Sequence, residues 1–146
     1  MKPGRETETC LVLTIANRHS DLLNLLDQVD GFGISSRLAN SVIHDVRLVL
    51  EELITNVISY GYSDGGEHWI VVKLFLKEEM LTIEIEDDSE YFNPLQHHHK
   101  PEMNSAEEKA KGGQGIHLAR TLVDEIVYQR VAEKNVLCLK MIVAEN

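Results

Sequence analysis

The sequence predicts an α+β domain, a two-layer sandwich whose helices cover one face of a mixed, mainly antiparallel sheet, and three observations carry that expectation. Apolar and polar residues alternate with period two near both chain ends and in the middle. Two long segments of helical period separate the first of these runs from the others. The later runs are joined by turns of only a few polar residues, too short for crossover helices, so most neighbours are expected to be antiparallel.

Residues 7–16 read as the first strand, with Leu11, Val12, Leu13 and Ile15 following alternating polar positions. Over residues 17–30 the period changes: Leu22, Leu23, Leu25, Leu26 and Val29 fall at helical spacing. Ser20 or Asn17 offers a cap, and Gly31 and Gly33 mark the expected end. Ser35-Ser36 then opens a longer helix whose stripe of Leu38, Val42, Val46, Val49, Leu53 and Val57 continues to about Tyr60. Gly61 and the Ser63-Asp64-Gly65-Gly66 cluster break the pattern. Residues 69–76 and 81–86 alternate around Lys77-Glu78-Glu79, which predicts a hairpin.

Residues 87–111 have no period and contain Pro94, Pro101 and His97-His98-His99; a loop of that length in a compact domain is usually functional or mobile. A helix is expected from about Gly115 to Val123, a strand over 125–131, a polar turn at Glu133-Lys134-Asn135, and a last strand over 136–143. With no repeat and no linker, the 146 residues read as one domain.

Composition narrows the function classes. Apolar residues make up 43% and charged residues 26%, the balance of an ordinary folded domain. No apolar run is long enough to cross a bilayer and the first residues lack a signal-peptide core, so a cytoplasmic protein is expected. In that compartment Cys10 and Cys138, each in a strand-like run, read as reduced and mostly buried thiols. Fourteen basic against 24 acidic residues give a net charge of −10, which disfavours direct binding to nucleic acid or anionic membranes. Partners are expected to be proteins or small molecules.

Two separated segments carry chemistry. In Glu51-Glu52-Leu53-Ile54-Thr55-Asn56, Glu52 and Asn56 lie four residues apart on one helix face and offer a carboxylate and a carboxamide to one point in space. In Lys111-Gly112-Gly113-Gln114-Gly115-Ile116, glycines permit positive φ and close backbone approach ahead of a helix whose N–H groups face an anion. A polyphosphate with its magnesium ion fits between them. Each feature alone also has an ordinary reading: an exposed helix carboxylate, a surface amide, a tight connection. The three histidines are adjacent in sequence and do not converge on one ion without further ligands.

With these motifs in place, the chain resembles the GHKL ATPase superfamily and its Bergerat fold, and within it the bacterial anti-sigma-factor serine kinases. The likeness runs from about Thr7 to Val143 and includes the Gly61-Tyr62 pair after the first motif. A middle motif, Asp87-Asp88-Ser89-Glu90-Tyr91-Phe92-Asn93-Pro94, keeps the family's aspartate and Phe-Asn-Pro tail but has Ser89 in place of glycine. The resemblance implies that Glu52 is the general base, with Glu51 as alternative, and that Asn56 ligates magnesium. It implies that Asp87, with Asp88 as alternative, accepts from the adenine amino group, and that Gly112, Gly113, Gln114, Gly115 and Ile116 contact phosphate. ATP and Mg2+ are then the expected cofactors. A sigma factor and a STAS-like anti-anti-sigma protein are the expected partners, and a homodimer the expected assembly. Ser89 and Tyr91 leave a second reading, a degenerate or nucleotide-free interaction module. The catalytic domain of a histidine kinase fits less well, because no helical phosphoacceptor hairpin is present.

Overall fold

The computed structural model describes residues 8–90 and 113–143. Tyr91, the Phe92-Asn93-Pro94 tail, the three histidines, Lys109, Lys111 and Gly112 lie outside these residues. The elements are β1 (Glu8–Ala16), α1 (His19–Ser35), α2 (Asn40–Tyr60), β2 (Trp69–Lys77), β3 (Met80–Asp87), α3 (Gly113–Leu122), β4 (Glu125–Val131) and β5 (Lys134–Ile142). The strands form one sheet in the order β1-β2-β3-β5-β4.

All four strand pairings are antiparallel, so the parallel component expected of a mixed sheet does not occur among the described residues. The reason is topological. β3 and β4 run in the same direction, each opposed to β5, and the insertion of β5 between them replaces one parallel pair with two antiparallel ones.

One sheet face is covered and the other is open. Ile70, Val72 and Leu74 of β2, Leu81, Ile83 and Ile85 of β3, and Leu137 and Leu139 of β5 point toward the helices. They meet Leu25, Leu26 and Val29 of α1, Val49, Leu50 and Ile54 of α2, and Ala119 of α3. A fully buried side chain of this size contributes about 1.5–3 kcal/mol each, so this layer is the main source of stability. Among the described residues no helix is long and apolar enough to cross a membrane.

The cysteines depart from expectation: Cys10 is exposed and Cys138 half-buried, both on the open sheet face. Alternation decides this, because Leu11 and Leu137 beside them take the inward positions. Burial and the nearby Glu84 push the Cys138 thiol up from its ordinary pKa. Trp69 also stands on the open face, exposed at the start of β2.

The helix boundaries hold two further corrections. α1 does not stop at Gly31 or Gly33 but runs to Ser35, and Ser35-Ser36 finish it rather than opening α2, which starts at Asn40 without a side-chain cap. The stop is a Schellman arrangement. Leu38 N–H donates to Gly33 O at 2.9 Å and Arg37 N–H to Ile34 O at 3.1 Å, with Arg37 in the left-handed region at φ 61°. Gly33 serves packing instead: a Cβ there would come within 2.5 Å of Ile43 Cγ1 on α2, whereas one at Gly31 would meet nothing within 4 Å. Gly31→Ala should therefore raise unfolding stability by about 0.5–1 kcal/mol through helix propensity alone. Gly33→Ala should lower stability by about 1–3 kcal/mol through overpacking. Denaturant melts of both variants check this, and a Gly33→Ala protein as stable as wild type would refute the close α1–α2 approach.

Candidate functional site

α2 carries the first motif on its flank. With Leu50, Leu53 and Ile54 turned into the core, Glu52 and Asn56 come out half-buried at its edge, while Glu51 is rotated into solvent. The Glu52 carboxylate makes no hydrogen bond or ion pair with any described residue. α3 packs on α2, and its first turn is built from Gly113, Gln114, Gly115 and Ile116. Gly113 and Gly115 are therefore helical, not in the positive-φ turn expected from sequence, and they put backbone N–H groups at a helix N-terminus. Gly112 lies outside the described residues.

The second motif lies at the end of β3. Asp87 is 5% exposed and continues the inward alternation of Leu81, Ile83 and Ile85. Its Oδ1 accepts from Ser89 N–H at 3.0 Å, from the Ser89 hydroxyl, and from Asn135 Nδ2 at 3.1 Å. Its Oδ2 has no hydrogen-bond partner among the described residues. Asp88, the alternative, is exposed and engaged with His68, so the buried carboxylate is Asp87.

Ser89 is accommodated without standing proud of the site. Its side chain is 4% exposed and turned back onto Asp87 and Asn135, in space left by Gly61. A Cβ on Gly61 would come within 2.9 Å of Ser89 Cβ and 2.6 Å of Val57 O. Glu90 N–H donates to Gly61 O at 3.3 Å, and the Ser63 hydroxyl to Glu90 Oε1 at 2.9 Å, which ties the end of α2 to the end of β3. The helix bearing the first motif and the strand bearing the second thus meet at one corner.

Sequence reasoning did not assign a role to Asn135, Tyr128 or Arg130. Asn135 Oδ1 accepts from the Tyr128 hydroxyl at 2.5 Å and from Arg130 Nη1 at 3.0 Å, and Arg130 also donates to Ser89 O at 2.9 Å. The available signal was an asparagine occupying the inward position of β5 ahead of Leu137, Leu139 and Met141. An open cleft of about 460 Å3 borders Ser89 and is lined by both signs of charge, including Arg130, Lys134 and Glu90.

Beside this corner, the Tyr62 and His68 rings stack with centroids 4.1 Å apart and planes 8° from parallel. The Tyr62 hydroxyl is buried without a hydrogen-bond partner among the described residues, and burial together with the charges of Asp87 and Asp88 drives its pKa far above the ordinary phenol range. His68 Nε2 lies 2.9 Å from Asp64 and Nδ1 3.3 Å from Asp88. The hydrogen bond to Asp64, aided by Asp88, raises the His68 pKa, while Gly66 N–H and His68 lower that of Asp64. A raised imidazole pKa stabilises the fold fully below the unfolded value of about 6.5, and that contribution fades as pH climbs through the folded value. NMR titration should place the His68 midpoint above 6.5 and return it toward 6.5 in Asp64→Asn; a wild-type midpoint at or below 6.5 would dismiss the cluster.

The arrangement has recognisable relatives. The profile of the histidine kinase-like ATPase domain matches residues 16–141. A serine-protein kinase RsbW of Bacillus velezensis is 27% identical over 103 residues, which are 66% of this chain and 64% of the relative. An anti-sigma F factor of Clostridium novyi is 28% identical over 93 residues, 64% of each chain. The chain thus spans a little under two thirds of the length of these curated relatives. The crystal structure of the RsbU and RsbW domains of a Mycobacterium tuberculosis protein shares the fold, with a TM-score of 0.68 at 16% identity, over 94% of this chain and 33% of that one. The profile match runs from the end of β1 almost to the end of β5 and takes in the α2 pair, Asp87 and the glycine run, so the chain belongs to the histidine kinase-like ATPase domain family.

Proposed function

We propose that this protein is an ATP- and magnesium-dependent serine kinase that works as an anti-sigma factor, holding a sigma factor in one state and phosphorylating a serine of a small STAS-like anti-anti-sigma protein in another. The observation that carries this reading is Asp87: a buried carboxylate with one oxygen taking three protein donors and the other without a partner among the described residues, where an adenine amino group would supply a donor. The names of the relatives, serine-protein kinase and anti-sigma F factor, support the two halves of the role.

In this reading Asp87 holds the base, and backbone N–H groups of Gly112, Gly113, Gln114, Gly115 and Ile116 hold phosphate oxygens. Asn56 offers its amide oxygen to magnesium, which neutralises phosphate charge when bound. Glu52 accepts the proton of the partner's serine hydroxyl as that oxygen bonds to the γ-phosphorus. The bond from the γ-phosphorus to the bridging oxygen breaks, and ADP leaves. The half-buried, unpaired Glu52 suits a base better than the solvent-facing Glu51. The nucleotide-free alternative drew on Ser89 and Tyr91; Tyr91 lies outside the described residues, and the Ser89 side chain is folded into the Asp87 network, a geometry that favours the nucleotide reading.

The open sheet face supports self-association with a second copy. It exposes Val12, Phe75, Val127 and Ile142, and its charges balance in the pairs Lys73–Glu84, Lys134–Glu86 and Lys140–Glu125. Two chains of net charge −10 meet with least repulsion on such a face.

Titration calorimetry should show magnesium-dependent ATP binding that weakens about tenfold or more in Asp87→Asn, since a hydrogen bond to a charged acceptor is worth about 1.5–3 kcal/mol. No ATP binding by the wild type would defeat the kinase reading. Glu52→Ala should slow serine phosphorylation by roughly 10²–10⁴-fold while leaving ATP affinity within about threefold; undiminished phosphorylation would remove Glu52 from the base role. Sedimentation should find a dimer that Phe75→Glu converts to monomer, and a monomeric wild type at tens of micromolar would rule the dimer out.

A further inference from the structure

The geometry points to Asn135 as the positioning residue that fixes the Asp87 carboxylate and thereby sets a preference for adenine over guanine nucleotides. This inference rests on the nucleotide reading above and goes beyond it by naming what makes Asp87 selective.

Asp87, Ser89 and Asn135 are the buried polar residues among those described, and they touch one another. A carboxylate end group rotates between two nearly equivalent orientations unless donors hold it. Here the donors from Ser89 and Asn135 converge on Oδ1, which leaves Oδ2 with no hydrogen-bond partner among the described residues. Asn135 is in turn held in a single orientation. Its Oδ1 receives the Tyr128 hydroxyl and Arg130 Nη1, while its Nδ2 faces acceptors only: Asp87 Oδ1, Ser89 Oγ at 2.9 Å and Glu90 O at 3.0 Å. A flipped amide would set donor against donor on one side and acceptor against acceptor on the other, so the chain of hydrogen bonds runs in one direction.

The consequence is chemical discrimination. A fixed, acceptor-only oxygen on a buried residue accepts from the exocyclic amine of adenine and opposes the carbonyl oxygen that guanine places there. Without Asn135 the carboxylate keeps only the two Ser89 donors, the Ser89 hydroxyl loses its own partner Asn135 Nδ2, water enters the space left, and the opposition to guanine relaxes. Asn135 touches no reacting atom; it acts through Asp87.

Equilibrium binding of ATP and GTP, with magnesium, to wild type and Asn135→Ala tests this. The ATP-to-GTP affinity ratio should fall at least tenfold in Asn135→Ala, mostly by loss of ATP affinity. A general loosening of the fold would weaken both nucleotides together and leave the ratio unchanged. Tyr128→Phe, which removes one anchor of the amide but keeps the ring, should lower the ratio about threefold and covers the case in which Asn135→Ala does not fold. A wild type that prefers ATP with ratios unmoved in both variants would overturn this inference and leave the nucleotide site standing. A wild type that binds neither nucleotide would overturn both.

Discussion

The packing of α2 across the inner face of the sheet is the contact on which the rest of the molecule depends. Val49, Leu50 and Ile54 are withdrawn from water entirely, and their spacing fixes the rotation of the helix about its axis. That rotation leaves Glu52 and Asn56 at the rim, half in and half out. It also sets where the helix ends, and Gly61 at that end leaves the space into which Ser89 closes. The first motif, the strand end bearing Asp87 and the chain reversal between them are therefore set by one apolar interface.

Against that interface stands a polar cluster that contributes little to stability on its own account. Burying a carboxylate, an amide and a hydroxyl costs several kcal/mol, and internal hydrogen bonds recover most of that only when every group is paired. Asp87 keeps one oxygen without a partner among the described residues, and a chain selected for stability alone would put leucine at the end of the β3 alternation. In the proposed function, that oxygen is the acceptor for the adenine amine. Its orientation is stiff because Tyr128, Arg130, Asn135 and Ser89 form a relay across β4, β5 and β3.

Much of this was legible in the chain, for stated reasons. Period-two and helical patterns located the eight elements of the described residues, because each buries one face only, and the Glu52–Asn56 spacing and the glycine run stood out as departures from pure packing. The errors have physical causes. Gly31 and Gly33 read as a helix stop because glycine so often ends helices, yet Gly33 is there to admit Ile43 and the left-handed stop falls on Arg37. Cys10 and Cys138 read as core because cysteine is commonly buried, but their parity in the strands turns them outward. Asn135 was seen only as part of a turn, since its role depends on a partner 48 residues away.

The β4–β5 turn has a reach that its surface position conceals. It consists of two residues, Ala132 and Glu133, both at positive φ (50° and 66°), and it locks Val131 opposite Lys134 and Arg130 opposite Asn135. Side chains in a strand alternate, so one residue more or fewer in that turn would carry Asn135 to the outer face and bring a neighbour into its place. Which β5 side chain meets Asp87 is thus counted out at a solvent-exposed loop tip. Changes of length there act on the buried polar network, while changes of residue type act on local backbone strain.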